Sequence, residues 1–362
     1  MKQLSITEYE AGQRLDRLLV KVFSQAGKGF LYKMLRKKNI VLNGKRAEGN
    51  ETLKAGDVIT VYFSDETYEK LSSSTQMTRT VGLQDESNSK EDKNTASEKK
   101  GAGTGKTDNS RAKKYIRKQI PKVVYEDQHV LILHKPAGML SQKAEETDDS
   151  LVDYVQEYLI ETGWLNAERL LTFRPGICNR LDRNTEGLVI AGKTILGLQT
   201  MSELLRNRNL DKYYLCVVKG EVERPIRLKG YLQKDEMKNL VTVGKGPDGE
   251  PIETEYRPIA VTNAGSLLEV KLITGKSHQI RAHLASVGHP IAGDMKYGDM
   301  VYNRMMKERF GVKHQMLVAY RMVFPKLPEA FTELSGKEVK TVLPIVFDKF
   351  CRAYGISEQA EC

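Results

Sequence analysis

The chain has 362 residues, a formal net charge of +10 and 40% hydrophobic residues, which suits two soluble domains better than one and points to an anionic partner. No run of 18 apolar residues occurs and the opening MKQLSITEYE lacks an apolar signal core, so a membrane span and a secretory leader are not expected. Cys178, Cys216, Cys351 and Cys362 are scattered without a CxxC pair, which argues against a disulfide framework or a cysteine metal site and suits a cytoplasmic protein.

Residues 1–63 form the first segment. "LDRLLVKVF" and "GFLYKMLRKKN" carry helical apolar spacing. "IVLNGKRA" predicts a short strand with an Asn43-Gly44 turn, and "AGDVITVYF" a second strand. Between Asp16 and Glu48 there is no acidic residue but nine basic ones: Arg17, Lys21, Lys28, Lys33, Arg36, Lys37, Lys38, Lys45 and Arg46. A solvated charged face normally mixes signs; a single-sign face on a small helix-helix-hairpin unit is a footprint for phosphates. "RLDRLL", "LYKMLRKKNIVLNGKRA" and "LKAGDVITVYF" resemble the S-four RNA-binding domain. That resemblance implies RNA contact through the helical pair and the following loop.

Residues 64–121 read as a linker. From Gln84 to Lys114 there is no Val, Ile, Leu, Met or aromatic residue, so little could offset the entropy of ordering and disorder is expected. A flexible linker of about fifty residues spans roughly 40 Å, enough to hold the first unit away from the rest. Its "KGAGTGKTD" looks like a phosphate loop, but Lys100 stands where the first glycine belongs and no strand precedes it. Nucleotide hydrolysis is not expected.

Residues 122–350 form the large domain, with 351–362 as a C-terminal tail. "VLILHK", "GLVIAGK", "YYLCVVKG", "NLVTVG", "SLLEVKLIT" and "MLVAYRMVF" predict strands. "DDSLVDYVQEYLI", "ILGLQTMSELLRNR" and "SHQIRAHLASVG" predict helices, and "VGKGPDGEP" a hairpin connection. Strands and helices do not alternate regularly, so the expected class is α+β on a mixed, mostly antiparallel sheet.

The tetrapeptide RLDR occurs at 14–17 and again at 180–183, the second time inside "RPGICNRLDRNTEGL". A carboxylate flanked by guanidinium groups stays ionised. By itself Asp182 reads as a salt-bridge partner as readily as a nucleophile or base. Two further stretches change the balance. "LITGKSHQIRAHLASVGHPIAGDMKYG" gathers Gly275, Lys276, His278, Gln279, Arg281 and His283, and "LDKYYLCVVKG" adds Lys212 and Tyr214. His278 and His283 are five apart, not the four that would put two ligands on one helical face, and no metal is expected.

With "NRLDRNTEGLVI", these motifs resemble the RluA family of RNA pseudouridine synthases, from "VVYEDQHVLILHKPAGML" to "LPIVFDKF". The resemblance implies isomerisation of uridine in RNA, most plainly large-subunit ribosomal RNA, with Asp182 as the catalytic carboxylate. It further implies that Arg281 pairs with Asp182, Tyr214 stacks on the uracil, Arg180 enters the RNA helix vacated by the target, and Leu284 walls the pocket. His278 and Gln279 are expected to brace the loop, and Lys135, Pro136 and Gly138 to shape a turn. The reaction loses no group and changes no oxidation state, so no cofactor is called for. Attack on the sugar, attack on the ring and removal of a sugar proton are all open to such a carboxylate. Asn179, Glu186, Lys276 and Val318 depart from the family pattern, which bears on substrate choice. A transfer-RNA enzyme and a catalytically inactive RNA-binding assembly factor are the alternatives, and a monomer is expected. The two RLDR strings lie in unlike contexts, one opening a helix and one in a loop, so they do different work.

Overall fold

The structure is a computed structural model that describes residues 1–72 and 120–356, apart from 236–239, 245 and 247–248. The low-hydropathy stretch, its phosphate-loop-like string and the end of the tail lie outside the described residues.

The N-terminal unit runs β1 (Lys2–Ser5), α1 (Leu15–Val22), α2 (Lys28–Arg36), β2 (Ile40–Leu42), β3 (Lys45–Arg46), β4 (Val58–Val61) and α3 (Asp65–Leu71). Asn43 and Gly44 both have positive φ, 51° and 71°, and turn β2 into β3 as the Asn-Gly pair predicts. The sheet order is β1-β4-β2-β3. Leu15, Leu18, Leu19 and Val22 give α1 one buried face, against Leu31, Met34 and Leu35 of α2. Each such fully buried side chain contributes about 1.5–3 kcal/mol. Two elements extend the unit beyond its expected form. β1 closes the sheet edge, and α3 falls inside the segment expected as linker. Tyr68 of α3 is buried edge-on against Phe23, with ring centroids 5.3 Å apart.

The second unit contains β5 (Lys122–Glu126), β6 (Val130–Lys135), α4 (Leu151–Glu161), α5 (Ala167–Thr172), β7 (Gly176–Ile177), β8 (Glu186–Gly192), α6 (Ile195–Arg206) and β9 (Asp211–Val218). It continues with β10 (Ile226–Asp235), β11 (Leu240–Gly244), β12 (Glu250–Thr262), β13 (Gly265–Leu272), α7 (Gln279–Ser286), α8 (Met300–Phe310), β14 (Leu317–Val323), β15 (Glu338–Lys340) and α9 (Ile345–Ala353). Among the described residues the sheet has 11 strands, ordered β11-β10-β12-β13-β9-β14-β8-β6-β5, with β15 beside β14 and β7 beside β8. All pairings between its strands are antiparallel except β14 with β8, which is parallel and holds through Val318–Glu186 and Ala319–Gly187. The class is the expected α+β mixed sheet. The expected hairpin at 243–251 is not one: β11 and β12 lie on opposite edges of β10, and the hairpin is made one connection earlier, between β10 and β11. α9 also carries regular structure past residue 350, into the expected tail.

Successive residues of β9 face opposite sides, as the pleat requires. Tyr214 and Cys216 belong to the core cluster that also holds Leu181, Ile280 and Leu284. Leu215 and Val217 pack on the other side with α8 and α9. The N-terminal unit is docked, not held away. Glu10 accepts from Thr172 Oγ1 at 2.8 Å, and Lys21 Nζ donates to the Thr172 carbonyl at 3.0 Å. Tyr9 meets Trp164 edge-on at 5.2 Å and takes the Arg169 guanidinium over its ring at 3.9 Å.

Candidate active site

Asp182 lies in the loop between β7 and β8, and its neighbours pin that loop from several sides. Ser141 Oγ donates to the Leu181 carbonyl at 2.7 Å and accepts from the Leu181 amide at 3.0 Å. Asn179 Oδ1 accepts from the Ile190 amide at 2.8 Å, and its Nδ2 donates to the Leu188 carbonyl at 3.3 Å. Lys135 is wholly buried, and its Nζ donates to the carbonyls of Pro136, Met139 and Arg183 at 2.9, 2.9 and 3.1 Å. Three acceptors use all three protons of an ammonium. Burial pushes Lys135 down to about 7, while the Glu186 and Asp182 carboxylates resist that shift. Gly187, at φ 117°, closes the loop; a Cβ there would stand 2.2 Å from the Ala319 carbonyl oxygen, so no side chain fits.

Arg281 reaches Asp182 from α7. Its Nη1 donates to Asp182 Oδ2 at 2.7 Å. Its Nε and Nη2 grip Asp294 at 2.6 and 2.8 Å in a two-point fork. Arg281 is 5% exposed and Asp294 0%. Burial alone would lower the arginine and raise the aspartate; the hydrogen bonds and charges of the pair outweigh it and drive both the other way. Asp294 also accepts the amides of Lys296 and Tyr297 at 2.8 and 3.1 Å. Arg281 is thus a fixed donor with one group left for Asp182.

His278 stands at the start of α7 in the left-handed region, φ 55°, a position uncommon for a side-chain-bearing residue. Its ring Nδ1 is 3.0 Å from the Tyr297 hydroxyl and its Nε2 3.9 Å from Asp182 Oδ2. Burial pushes its imidazole pKa down. Gln279 ties α7 to β12, donating to the Glu253 carbonyl at 3.0 Å and to Thr254 Oγ1 at 2.9 Å.

Asp182, Arg281, His278 and Gln279 border one cavity of about 850 Å³. Tyr214 is 6% exposed on its wall, and burial with the nearby Asp182 charge raises its phenol pKa. Arg180 is exposed at the mouth, 3.5 Å from Gln142 Oε1. Arg183, Arg206, Arg208, Lys212 and Lys276 complete a basic lining. The cavity can hold a polar ring against an aromatic wall, next to one carboxylate, with cations around the entrance. Leu284 departs from expectation. It is fully buried in the core one turn beyond Ile280 and does not line the cavity, whereas Ile280, Leu272 and Leu317 do. Helical spacing explains this: residue 284 points down the same face as 280 but one turn deeper.

Asp294 carries geometry that sequence reasoning did not assign, whereas Lys135 ties the turn it was expected to shape. The signal for Asp294 was its place in "GHPIAGDMKYG"; its partner lies 13 residues earlier. The departures also find places. Asn179 pins the loop, Lys276 pairs with Glu250 at 2.5 Å, Glu186 lies 3.6 Å from His134, and Val318 is buried in the sheet. On the N-terminal unit Arg17, Lys28, Lys33, Arg36, Lys37, Lys38, Lys45 and Arg46 are all exposed. Asp16, from the first RLDR, is instead held by Arg14 at 3.0 Å and the Tyr32 hydroxyl at 2.9 Å.

A carboxylate held by a buried arginine, beside an aromatic wall and inside a basic rim, is the arrangement of a candidate active site open to a polyanionic substrate. Residues 129–286 match the model of the family described as RNA pseudouridylate synthase. The chain is 27% identical to "Ribosomal large subunit pseudouridine synthase C" of Vibrio vulnificus over 301 residues, 82% of this chain and 80% of that protein. The Escherichia coli protein of the same description is 27% identical over 318 residues, 85% of this chain and 83% of that one. A solved structure described as "Human RNA Pseudouridylate Synthase Domain Containing 4" superposes with a TM-score of 0.49 at 19% identity, covering 64% of this chain and 91% of that one. Among the described residues no helix is long and apolar enough to cross a membrane.

Proposed function

We propose that the chain isomerises uridine to pseudouridine in large-subunit ribosomal RNA, with Asp182 as the catalytic carboxylate. The observation that carries the assignment is the 2.7 Å bond from Arg281 to Asp182, with the arginine itself locked by Asp294. The naming of the bacterial relatives for the large ribosomal subunit supports the substrate class.

The target uridine leaves its stack, at a cost of a few kcal/mol. Tyr214 stacks on the uracil and returns about 1–3 kcal/mol. Asp182 meets the junction of sugar and base with its orientation fixed by Arg281. The N1–C1′ bond breaks, the ring turns, and a C5–C1′ bond forms. The C5 proton leaves to water and N1 gains a proton, so substrate and product are isomers. Arg180 at the mouth fills the space left in the RNA helix. The exposed cations of the N-terminal unit hold the flanking RNA by its phosphates.

Tritium release from a large-subunit transcript labelled at uridine C5 tests this, with wild type beside Asp182→Asn. Release by wild type alone is the expected result. Release by neither protein, with RNA binding retained, would leave a binding-only factor, and release from transfer RNA instead would move the substrate class.

A further inference from the structure

Between the two units lies a second cavity of about 620 Å³, bordered by Arg17 and Lys21 of α1, by Phe173 and Arg174 after α5, and by Leu198 and Gln199 of α6. Three cations face it. No carboxylate pairs with Arg17, Lys21 or Arg174 among the described residues; Lys21 Nζ is bonded to Gln13 Oε1 at 3.1 Å and to the Thr172 carbonyl. Glu10, the nearby acid of the seam, is taken by Thr172 and by Thr7. Desolvation of the ammonium in the cleft, together with the neighbouring charges of Arg17 and Arg174, pushes the Lys21 pKa down, although the residue as a whole is exposed. Gathering like charges across an interface weakens it unless an anion joins them.

The cavity is also connected to the candidate active site by two elements. α6 borders the seam with Leu198 and Gln199 and borders the catalytic cavity with Ser202, Leu205 and Arg206. From Leu198 to Arg206 is roughly 12 Å along a helix. The segment from Arg174 to Cys178 and Asn179 makes the same passage on the other side. A strand leaving the catalytic cavity over α6 therefore arrives at the three cations.

We propose that this interdomain cleft is a phosphate site of the substrate RNA, where Arg17, Lys21 and Arg174 together take a backbone phosphodiester a short way along the strand from the target uridine. The inference rests on the reading of the chain as an RNA-modifying enzyme and extends it. The docked arrangement of the two units is then the RNA-gripping one, and the strand clamps the N-terminal unit onto α5 and α6.

The experiment measures equilibrium binding of the full-length protein to the large-subunit transcript across a salt series, together with tritium release. Arg174→Gln should lower the slope of log K against log salt by about 1 and weaken binding roughly five- to eightfold at 0.1 M salt. Arg17→Gln with Arg174→Gln should lower the slope by about 2. Arg174→Lys should restore most of it. Lys349→Gln, an exposed lysine of α9 on the opposite face of the sheet, should leave the slope unchanged, and the melting temperature of the RNA-free protein should not fall in any of the four. An unchanged slope in Arg174→Gln, or an equal drop in Lys349→Gln, overturns the site. Turnover by wild type with an unaffected Arg174→Gln overturns the cleft alone. No turnover by wild type with the Arg174 effect intact overturns the enzymatic reading alone, and no RNA binding at all overturns both.

Discussion

Asp294→Asn tests the central pairing, because it keeps the shape of the side chain and removes its charge. The carboxylate receives two charge-assisted hydrogen bonds from Arg281, at 2.6 and 2.8 Å, with both partners buried. An asparagine can offer one oxygen to the fork; its NH₂ group would face a guanidinium N–H, donor against donor. Removing one partner of a buried pair costs about 3–5 kcal/mol, because the remaining charge loses its compensation. For a domain of this size that is a fall in Tm of roughly 6–20 °C. Asp182 is left as the sole acid on the arginine, and the loosened guanidinium no longer fixes the carboxylate proposed as catalytic. Displacements on the scale of 1 Å lower kcat by about 10²-fold. Thermal melting and tritium release, each measured on Asp294→Asn, Arg281→Lys and the double variant, give the coupling directly. Wild-type Tm and wild-type kcat in Asp294→Asn would refute the argument outright. A lowered Tm with an unchanged kcat would refute its catalytic half and leave Asp294 a stabilising residue only.

Tyr214→Ala should lose about 5- to 150-fold in kcat/KM, the equivalent of the 1–3 kcal/mol of stacking, while Tyr214→Phe stays near wild type; an equal loss in both would assign the effect to the hydroxyl. Asp16→Asn should leave turnover of a minimal RNA hairpin intact, since Asp16 binds only local partners; a loss as deep as that of Asp182→Asn would show that the two RLDR strings share a task. His283 is buried against Thr254, at 3.0 Å from its hydroxyl, and burial holds its pKa below 6.5. As pH falls below 6.5, the unfolded chain takes up a proton that the folded chain refuses, so stability falls with pH until the folded pKa is reached. Denaturant midpoints should show a shallower acid decline for His283→Gln than for wild type; identical slopes would remove His283 from the account.

The parts of this molecule that were legible in the sequence are those written in local pattern. Asn43-Gly44 specifies its turn through backbone preference alone, and the apolar spacing of α1, α4, α6 and α7 needs no tertiary knowledge. Asp182, Tyr214 and Arg281 were legible because each sits in a distinctive short string, and the structure brings all three to one cavity. What stayed hidden depends on partners far apart in the chain. Nothing local in "GDMKYG" says that Asp294 grips Arg281, and the turn expected at Lys135 gave no sign that its ammonium also reaches the distant Arg183 carbonyl. The docking of Tyr9 on Trp164 and Arg169 joins residues about 155 positions apart, and a reading based on linker length favoured separation. Leu284 was assigned from resemblance alone, and the structure buries it in the core behind Ile280, off the cavity lining.

The parallel contact of β8 with β14 has one more consequence. Asp182 is carried on the β6–β8 side of that short junction, while Tyr214 and Arg281 are carried on the β9–β13 side. Neither half of the sheet holds a working set of groups. The proposed reactive centre is assembled where the two halves meet, through two residue pairs and the side chains packed across them. Slippage at that boundary would part Asp182 from Arg281 with every helix still wound. Catalytic output is therefore a gauge of how the halves are seated, and it would fade under mild denaturant ahead of any spectroscopic loss of helix or strand.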